Sequence, residues 1–233
     1  TDDTRPHLAG ALFEGEGKIV RMVTTDGHRL SKAEHRLPDG APMLRFAMLV
    51  PQKGIGELRR MLEEIRGDAK GQKEDGAAKI GIGSVGGHAY FKKEGLLLSV
   101  KLAEEVFPPY AKVIPQQQDK RVVVSRAGLL EALRRMSLVS SDKSGGVRFS
   151  ISAGTLRVVS ESPDVGEGSE ELDVDYAGEP LTIGFNARYV IDVLSALPDD
   201  EIALELSGEL DPGVLRPATD AASFVGVVMP MRI

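Results

Sequence analysis

Three stretches of the chain repeat one ordering of apolar and polar positions. They are VPQKGIGELRRMLEE (50–64), VVVSRAGLLEALRRMS (122–137) and IGFNARYVIDVLSALP (183–198). Each runs from a short apolar strand end, through a polar or proline cap, into about three turns of amphipathic helix. In the first, Ile55, Leu58, Met61, Leu62 and Ile65 recur at helical spacing. In the second, Ser125 stands at the N-cap position before Leu129, Leu130, Leu133 and Met136. In the third, Asn186 precedes Val190, Val193, Leu194 and Leu197.

Strand patterns follow every helix. KIGIGSV, GGHAYFKK and GLLLSVKL come after the first, GVRFSIS, TLRVVSES and EELDVDY after the second, and EIALELSG, GVLRP and FVGVVMPMRI after the third. EELDVDY alternates strictly, with Leu172, Val174 and Tyr176 on one face and acids on the other. The repeated unit is therefore strand, helix and three strands. HLAGALFE, KIVRMVTTD and HRLSKAEHRL, at the start, read as the three strands of an earlier copy. A helix needs a sheet face on which to bury its apolar stripe, so units pair into domains. The polar, proline-initiated stretch PQQQDK (115–120) marks a boundary, giving two α+β domains over 1–116 and 117–233.

Composition narrows the chemistry. The 233 residues are 42% hydrophobic and contain no cysteine, which excludes disulfides, thiolate nucleophiles and Cys-ligated metals. With His7, His28, His35 and His88 as the only histidines, and no HExxH or EF-hand spacing, no metal or cofactor is expected. No apolar run approaches the ~20 residues of a membrane-spanning helix, and the opening TDDTRPHLAG is unlike a signal peptide. A cytoplasmic location is the expectation. Residues 1–115 carry 18 basic and 16 acidic side chains (+2), and residues 116–233 carry 11 and 19 (−8), which sum to the net −6. Such a chain does not wrap nucleic acid with its whole surface, but a local basic face is compatible with it.

TTDGHRL (24–30) sets Asp26, Gly27 and His28 in a row. One reading is a hydrolase-like enzyme in which Asp26 orients His28 as a general base. That chemistry needs a nucleophile or substrate partner, and no GxSxG, cysteine or metal motif accompanies the pair. The other reading is a tight turn whose polar side chains satisfy local backbone groups, with Gly27 supplying conformational freedom. The Met229-Pro230-Met231 segment, taken alone, reads as core packing or a frayed strand.

TDGHRL, FPPYAKVIP, SDKSGGVRFSI, SPDVGEGSEELDVDYAGEPLTIGFNARYVIDVL and VVMPMRI, in that order, resemble the bacterial DNA sliding clamp, the β subunit of DNA polymerase III. The resemblance covers essentially the whole chain and corresponds to the second and third domains of that family. It implies the DNA-clamp fold, with helices lining an inner face and antiparallel sheets outside. It also implies a non-catalytic processivity factor: a head-to-tail homodimeric ring that encircles duplex DNA and tethers polymerases, the clamp loader, and repair and ligation proteins. A nucleoid association during replication follows.

The resemblance assigns a peptide-binding pocket to Leu8, Thr25, Gly27, His28, Arg29, Leu30, Pro108, Lys112, Val113, Asn186, Tyr189, Pro212, Val227, Met229, Pro230, Met231 and Arg232. Its ligands are short Gln/Leu/Phe-type motifs of partner proteins. Flexible, polarisable methionines suit varied apolar side chains, and Pro230 stiffens its segment. Lys112 stands where Arg is common and forgoes bidentate hydrogen bonding. Pro212, the Phe224-Val225-Gly226 run and Ile233 also depart from the family's usual form. DNA-facing positions are Lys53, Arg59, Arg60, Arg126, Arg134, Arg135 and Arg188, whose attraction to phosphate is sequence-independent and salt-sensitive. Glu167, Glu170, Glu171, Asp173 and Asp175 are expected on the outer sheet. Leu138 and Val139 resemble the dimer-interface pair. Their partner surface belongs to the family's first domain, so these 233 residues alone are expected not to close a ring.

Overall fold

The computed structural model describes residues 4–68, 80–93, 95–140, 145–219 and 223–232. The chain forms two compact units, Thr1–Thr24 with Glu34–Pro109, and Thr25–Ala33 with Tyr110–Ile233. The division falls at Pro109/Tyr110, a few residues before the polar PQQQDK stretch. Thr25–Ala33 groups with the second unit because its strand residues pair there.

In the first unit β1 (Gly10–Gly17) lies between β2 (Ile19–Thr25) and β4 (Leu44–Pro51), antiparallel to both. Strands β5 (Gly81–Val85), β6 (His88–Lys93) and β7 (Leu96–Lys101) form a second antiparallel sheet. Helix α1 (Gln52–Asp68) packs on β1, β4 and β7. Phe13, Met48, Leu58 and Phe91 are among its core residues, and the rings of Phe13 and Phe91 meet edge-on at 5.8 Å. A Cβ at Gly54 would lie 2.4 Å from Val100 Cγ1, so the helix approaches the sheet closely at that position. Leu58 and Met61 are buried as the helical spacing predicts, whereas Leu62 is partly exposed at the edge of the stripe. The side chain of Ile65 lies outside the described set.

The second unit orders the first half of β3 (Arg29–Arg36), then β15 (Phe224–Val228), β14 (Gly213–Pro217), β13 (Glu201–Leu206) and β8 (Lys120–Ser125), all antiparallel. Its other sheet orders β11 (Gly166–Asp173), β10 (Thr155–Ser162), β9 (Gly146–Ser152) and β12 (Leu181–Asn186). Helix α2 (Arg126–Val139) packs on β8–β11 and beside α3 (Ala187–Ala196). The Ser125 side chain accepts from Gly128 N and caps α2. The predicted apolar faces are the buried ones: Leu129, Leu130, Leu133 and Met136 on α2, and Val190, Val193 and Leu194 on α3, with Leu197 just beyond. They meet Val122 and Leu204 from one sheet and Phe149 and Ile183 from the other.

Two strand expectations differ in extent. The EELDVDY strand begins earlier, at Gly166, and ends at Asp173. Beyond it, Asp175 exchanges two backbone bonds with Val123, and the Tyr176 hydroxyl donates to Glu179 O at 2.6 Å. Glu170 is a correction: it turns toward α2 and grips Arg135 there instead of facing outward. The terminal strand stops at Val228, because Pro230 has no N–H to continue a ladder. Two bonds still tie the tail down, Met229 N to His28 O and Met231 N to Gly184 O, each 2.9 Å. Ile233 lies outside the described residues. Among the described residues no helix is long and apolar enough to cross a membrane.

A Cβ at Gly226 would stand 2.2 Å from Val193 Cγ1, so β15 and α3 approach closely there. Gly226→Ala is expected to destabilise the protein by about 1–3 kcal/mol through overpacking. Urea denaturation checks this, and an unchanged midpoint would show that the helix yields freely.

Candidate functional site

The turn between β2 and β3 is built by its own polar side chains. The Asp26 carboxylate accepts from His28 N at 2.9 Å and Arg29 N at 3.0 Å. The Thr25 hydroxyl donates to Arg29 O at 2.7 Å and accepts from Gly27 N at 3.2 Å. Gly27 has a φ of +89°, a left-handed conformation that side chains disfavour. Asp26 is thus committed to backbone amides, and to Arg29 Nε at 3.1 Å. The His28 ring instead lies face to face with Tyr189, 5.9 Å between centroids at an interplanar angle of 17°. This is the geometry of a fixed turn and an aromatic wall, not of a carboxylate orienting a catalytic imidazole.

Tyr189 is placed by the start of α3. The Asn186 side chain accepts from Arg188 N at 3.0 Å and Tyr189 N at 3.4 Å, capping the helix. Arg29 then lies over the other ring of this wall, its guanidinium carbon 4.6 Å from the Tyr189 centroid. Asp192, one turn along α3, grips the same guanidinium. Burial disfavours the charged Arg29, but Asp192 and Asp26 outweigh it and raise its pKa. For Asp26, burial likewise opposes the charge. The amides of His28 and Arg29 and the Arg29 cation prevail, and the carboxyl is held below its ordinary value.

The tail completes the surface. Met229 is 42% exposed beside His28, to which its amide is bonded. Further along, Met231 and Arg232 line an open cavity of about 400 Å³ with Arg148, Thr182, Ile183, Gly184, Glu209 and Leu210. Leu210, Arg148 and Asp192 were not anticipated. Leu210 sits in an aperiodic loop, and Asp192 meets Arg29 only through folding.

Of the pocket residues expected from the sequence, Thr25, Gly27, His28, Arg29, Asn186, Tyr189 and Met229 gather around this wall, with the half-buried Pro230 next along the tail. Leu30 and Val227 are opposite one another in the β3–β15 ladder and are fully buried, so they form its floor. Lys112 and Val113 lie exposed at and just after the 3-10 turn Tyr110–Lys112. Pro212 is half-buried, and its carbonyl accepts from Gln118 at 2.8 Å. Leu8, in a 3-10 turn, and Pro108 belong to the first unit.

The basic positions are unequal. Arg59 and Arg60 pair with Glu63 and Glu57 along α1, with Lys53 exposed nearby. Arg126 donates to Asp199 O at 2.7 Å, and Arg135 is held by Glu170 and Glu131. Arg134 and Arg188 are exposed. Leu138 is 79% exposed at the end of α2, beside the half-buried Val139.

The His28–Tyr189 wall and the exposed Met229 beside it thus stand on two α+β units. Residues 1–109 match the family model "DNA polymerase III beta subunit, central domain", and residues 111–232 match the C-terminal domain of the same subunit. The chain belongs to this sliding-clamp family. It is 35% identical over 231 residues to the beta sliding clamp of Escherichia coli strain K12, covering 99% of this chain and 59% of that protein. The sliding clamp of Pseudomonas aeruginosa bound to griselimycin superposes with a TM-score of 0.88 at 33% identity, covering all of this chain and 60% of that one. The beta subunit from Thermotoga maritima gives 0.86 at 28% identity, again over all of this chain and 60% of that one. The chain thus spans about three-fifths of the length of these relatives.

Two outcomes test the site's construction. Asn186→Ala removes the α3 cap and is expected to cost about 1 kcal/mol in denaturation experiments. Because the folded pKa of Asp26 lies below its ordinary 3.8, its contribution is complete above that value and is lost as pH falls through the folded pKa. Asp26→Asn should flatten the acid limb of stability below about pH 4. Equal acid-side slopes in the two proteins would dissociate Asp26 from this dependence.

Proposed function

We propose that the chain is the partner-binding part of a sliding clamp, a non-catalytic processivity factor that in its complete form encircles duplex DNA and tethers polymerases and repair proteins. The observation that carries this reading is the meeting of three segments at His28: its ring stacks on Tyr189 at the start of α3, and its carbonyl accepts from Met229 N of the tail, a surface we read as one wall of a groove. Its occupant is a short Gln/Leu/Phe-type peptide. Burying about 400 Å² of apolar surface is worth roughly 10 kcal/mol gross. Ordering a flexible segment reduces this to about 7–8 kcal/mol, or micromolar affinity, which suits partners that exchange.

Exposed Lys53, Arg134 and Arg188, with the partly neutralised Arg59 and Arg60, are the proposed phosphate-facing groups. Few strong contacts favour sliding, since retention by a ring comes from topology. Leu138 and Val139 are the proposed interface to a second subunit. A cytoplasmic, nucleoid-associated location follows from this role.

A fluorescent peptide containing Gln-Leu-x-Leu-Phe should bind with micromolar Kd in a polarisation titration. Met229→Ala should weaken it by roughly 5–30-fold, the equivalent of 1–2 kcal/mol. Undiminished binding by that variant would remove the groove assignment.

A further inference from the structure

The second unit contains ten arginines, and six of them are held by carboxylates or backbone carbonyls. The remaining four, Arg134, Arg148, Arg188 and Arg232, have no such partner among the described residues. Two of these four, Arg148 and Arg232, line the same cavity of about 400 Å³. That concentration is notable within residues 116–233, whose net charge is −8. Leu210 and Met231 supply apolar wall, Thr182 a hydroxyl, and Glu209 the one opposing charge. The cavity therefore combines apolar surface with two guanidinium groups that no carboxylate holds among the described residues, a setting for a carboxylate flanked by apolar atoms.

Nucleic acid fits this position less well. On β9, Arg148 stands between Val147 and Phe149, both buried in the core beneath α2 and α3. Strand alternation sends Arg148 out of the opposite face of the sheet, away from the helices. The tail links the two places, since Met229 is bonded to His28 and Met231, two residues on, lines the cavity.

We propose that this cavity is a subsite for an acidic side chain. It takes the carboxylate of an Asp or Glu flanking the apolar motif of a partner peptide, and Arg148 is the contact that selects it. The inference rests on the groove reading given above. Arg148 lies half-buried on a strand, so its planar fork is positioned before the ligand arrives. Arg232, exposed on the tail, adds charge from the other side.

The test uses fluorescent Gln-Leu-x-Leu-Phe peptides carrying two Asp residues before or after the motif, each matched by an Asn version. At least one acidic peptide is expected to bind roughly 3–10-fold more tightly than its Asn match at low salt. Arg148→Gln should abolish that gain and leave the Asn peptides unchanged, and high salt should shrink it. Equal binding of acidic and Asn peptides, or a gain that survives Arg148→Gln, would overturn the subsite while the groove stands. Met229→Ala distinguishes the two failures, because unchanged binding of all the peptides to that variant would overturn the groove reading itself. A duplex oligonucleotide that displaced the acidic peptide from the unaltered chain but not from Arg148→Gln would assign the arginine to nucleic acid, and would also refute the proposal.

Discussion

The site depends on the pairing of β15 with the first half of β3. In that ladder Val227 faces Leu30 and Val228 faces Arg29, strands that lie nearly two hundred residues apart in the chain. The register places Leu30 and Val227 in the buried floor and delivers the 25–30 turn to the second unit. Since side chains alternate with a period of two, a slip of one residue would turn Leu30 outward and carry Arg29 into the core. Gly226, in the same strand, leaves room for Val193, and so lets α3 lie close enough to present Tyr189 and Asp192 to Arg29. Backbone pairing thus fixes the wall before any side chain meets a ligand.

Helices and most strands were legible because their information is local and periodic. The apolar positions of α2 and α3 repeat at helical spacing, and Ser125 and Asn186 announce the caps that the structure shows. The site was legible only in part. Asp192 is an unremarkable polar position on the outer side of α3 until folding brings it to Arg29, 163 residues away in sequence. Leu210 belongs to a loop without period, and Glu170 shares the parity of Leu172, so strand alternation sets it toward α2 and apart from Glu171 and Asp173. Leu30 and Val227 were grouped with the pocket, yet their burial makes them support for the surface. Residue type and spacing fix local form, whereas long-range partners depend on register.

Charge is distributed along the same lines. Where a cation has a fixed structural duty, a carboxylate neutralises it, as Asp26 and Asp192 do for Arg29 and Glu170 does for Arg135. Cations without such partners among the described residues, Arg134 and Arg188 on the helices and Arg148 and Arg232 beside the tail, mark surfaces proposed to meet phosphate and carboxylate. An acidic protein is able in this way to keep two separate positive sites without a basic exterior.

The wall's composition from distant segments ties recognition to cooperativity of folding. The turn, α3 and the tail form one surface only while the second unit is intact. A ligand of that surface therefore binds the native state and ignores the unfolded chain, and mass action raises the melting temperature in its presence. At a hundredfold excess over Kd the gain is about 2.7 kcal/mol. The protein with this surface occupied is accordingly harder to unfold than the free protein, and its openings are less often available to proteases.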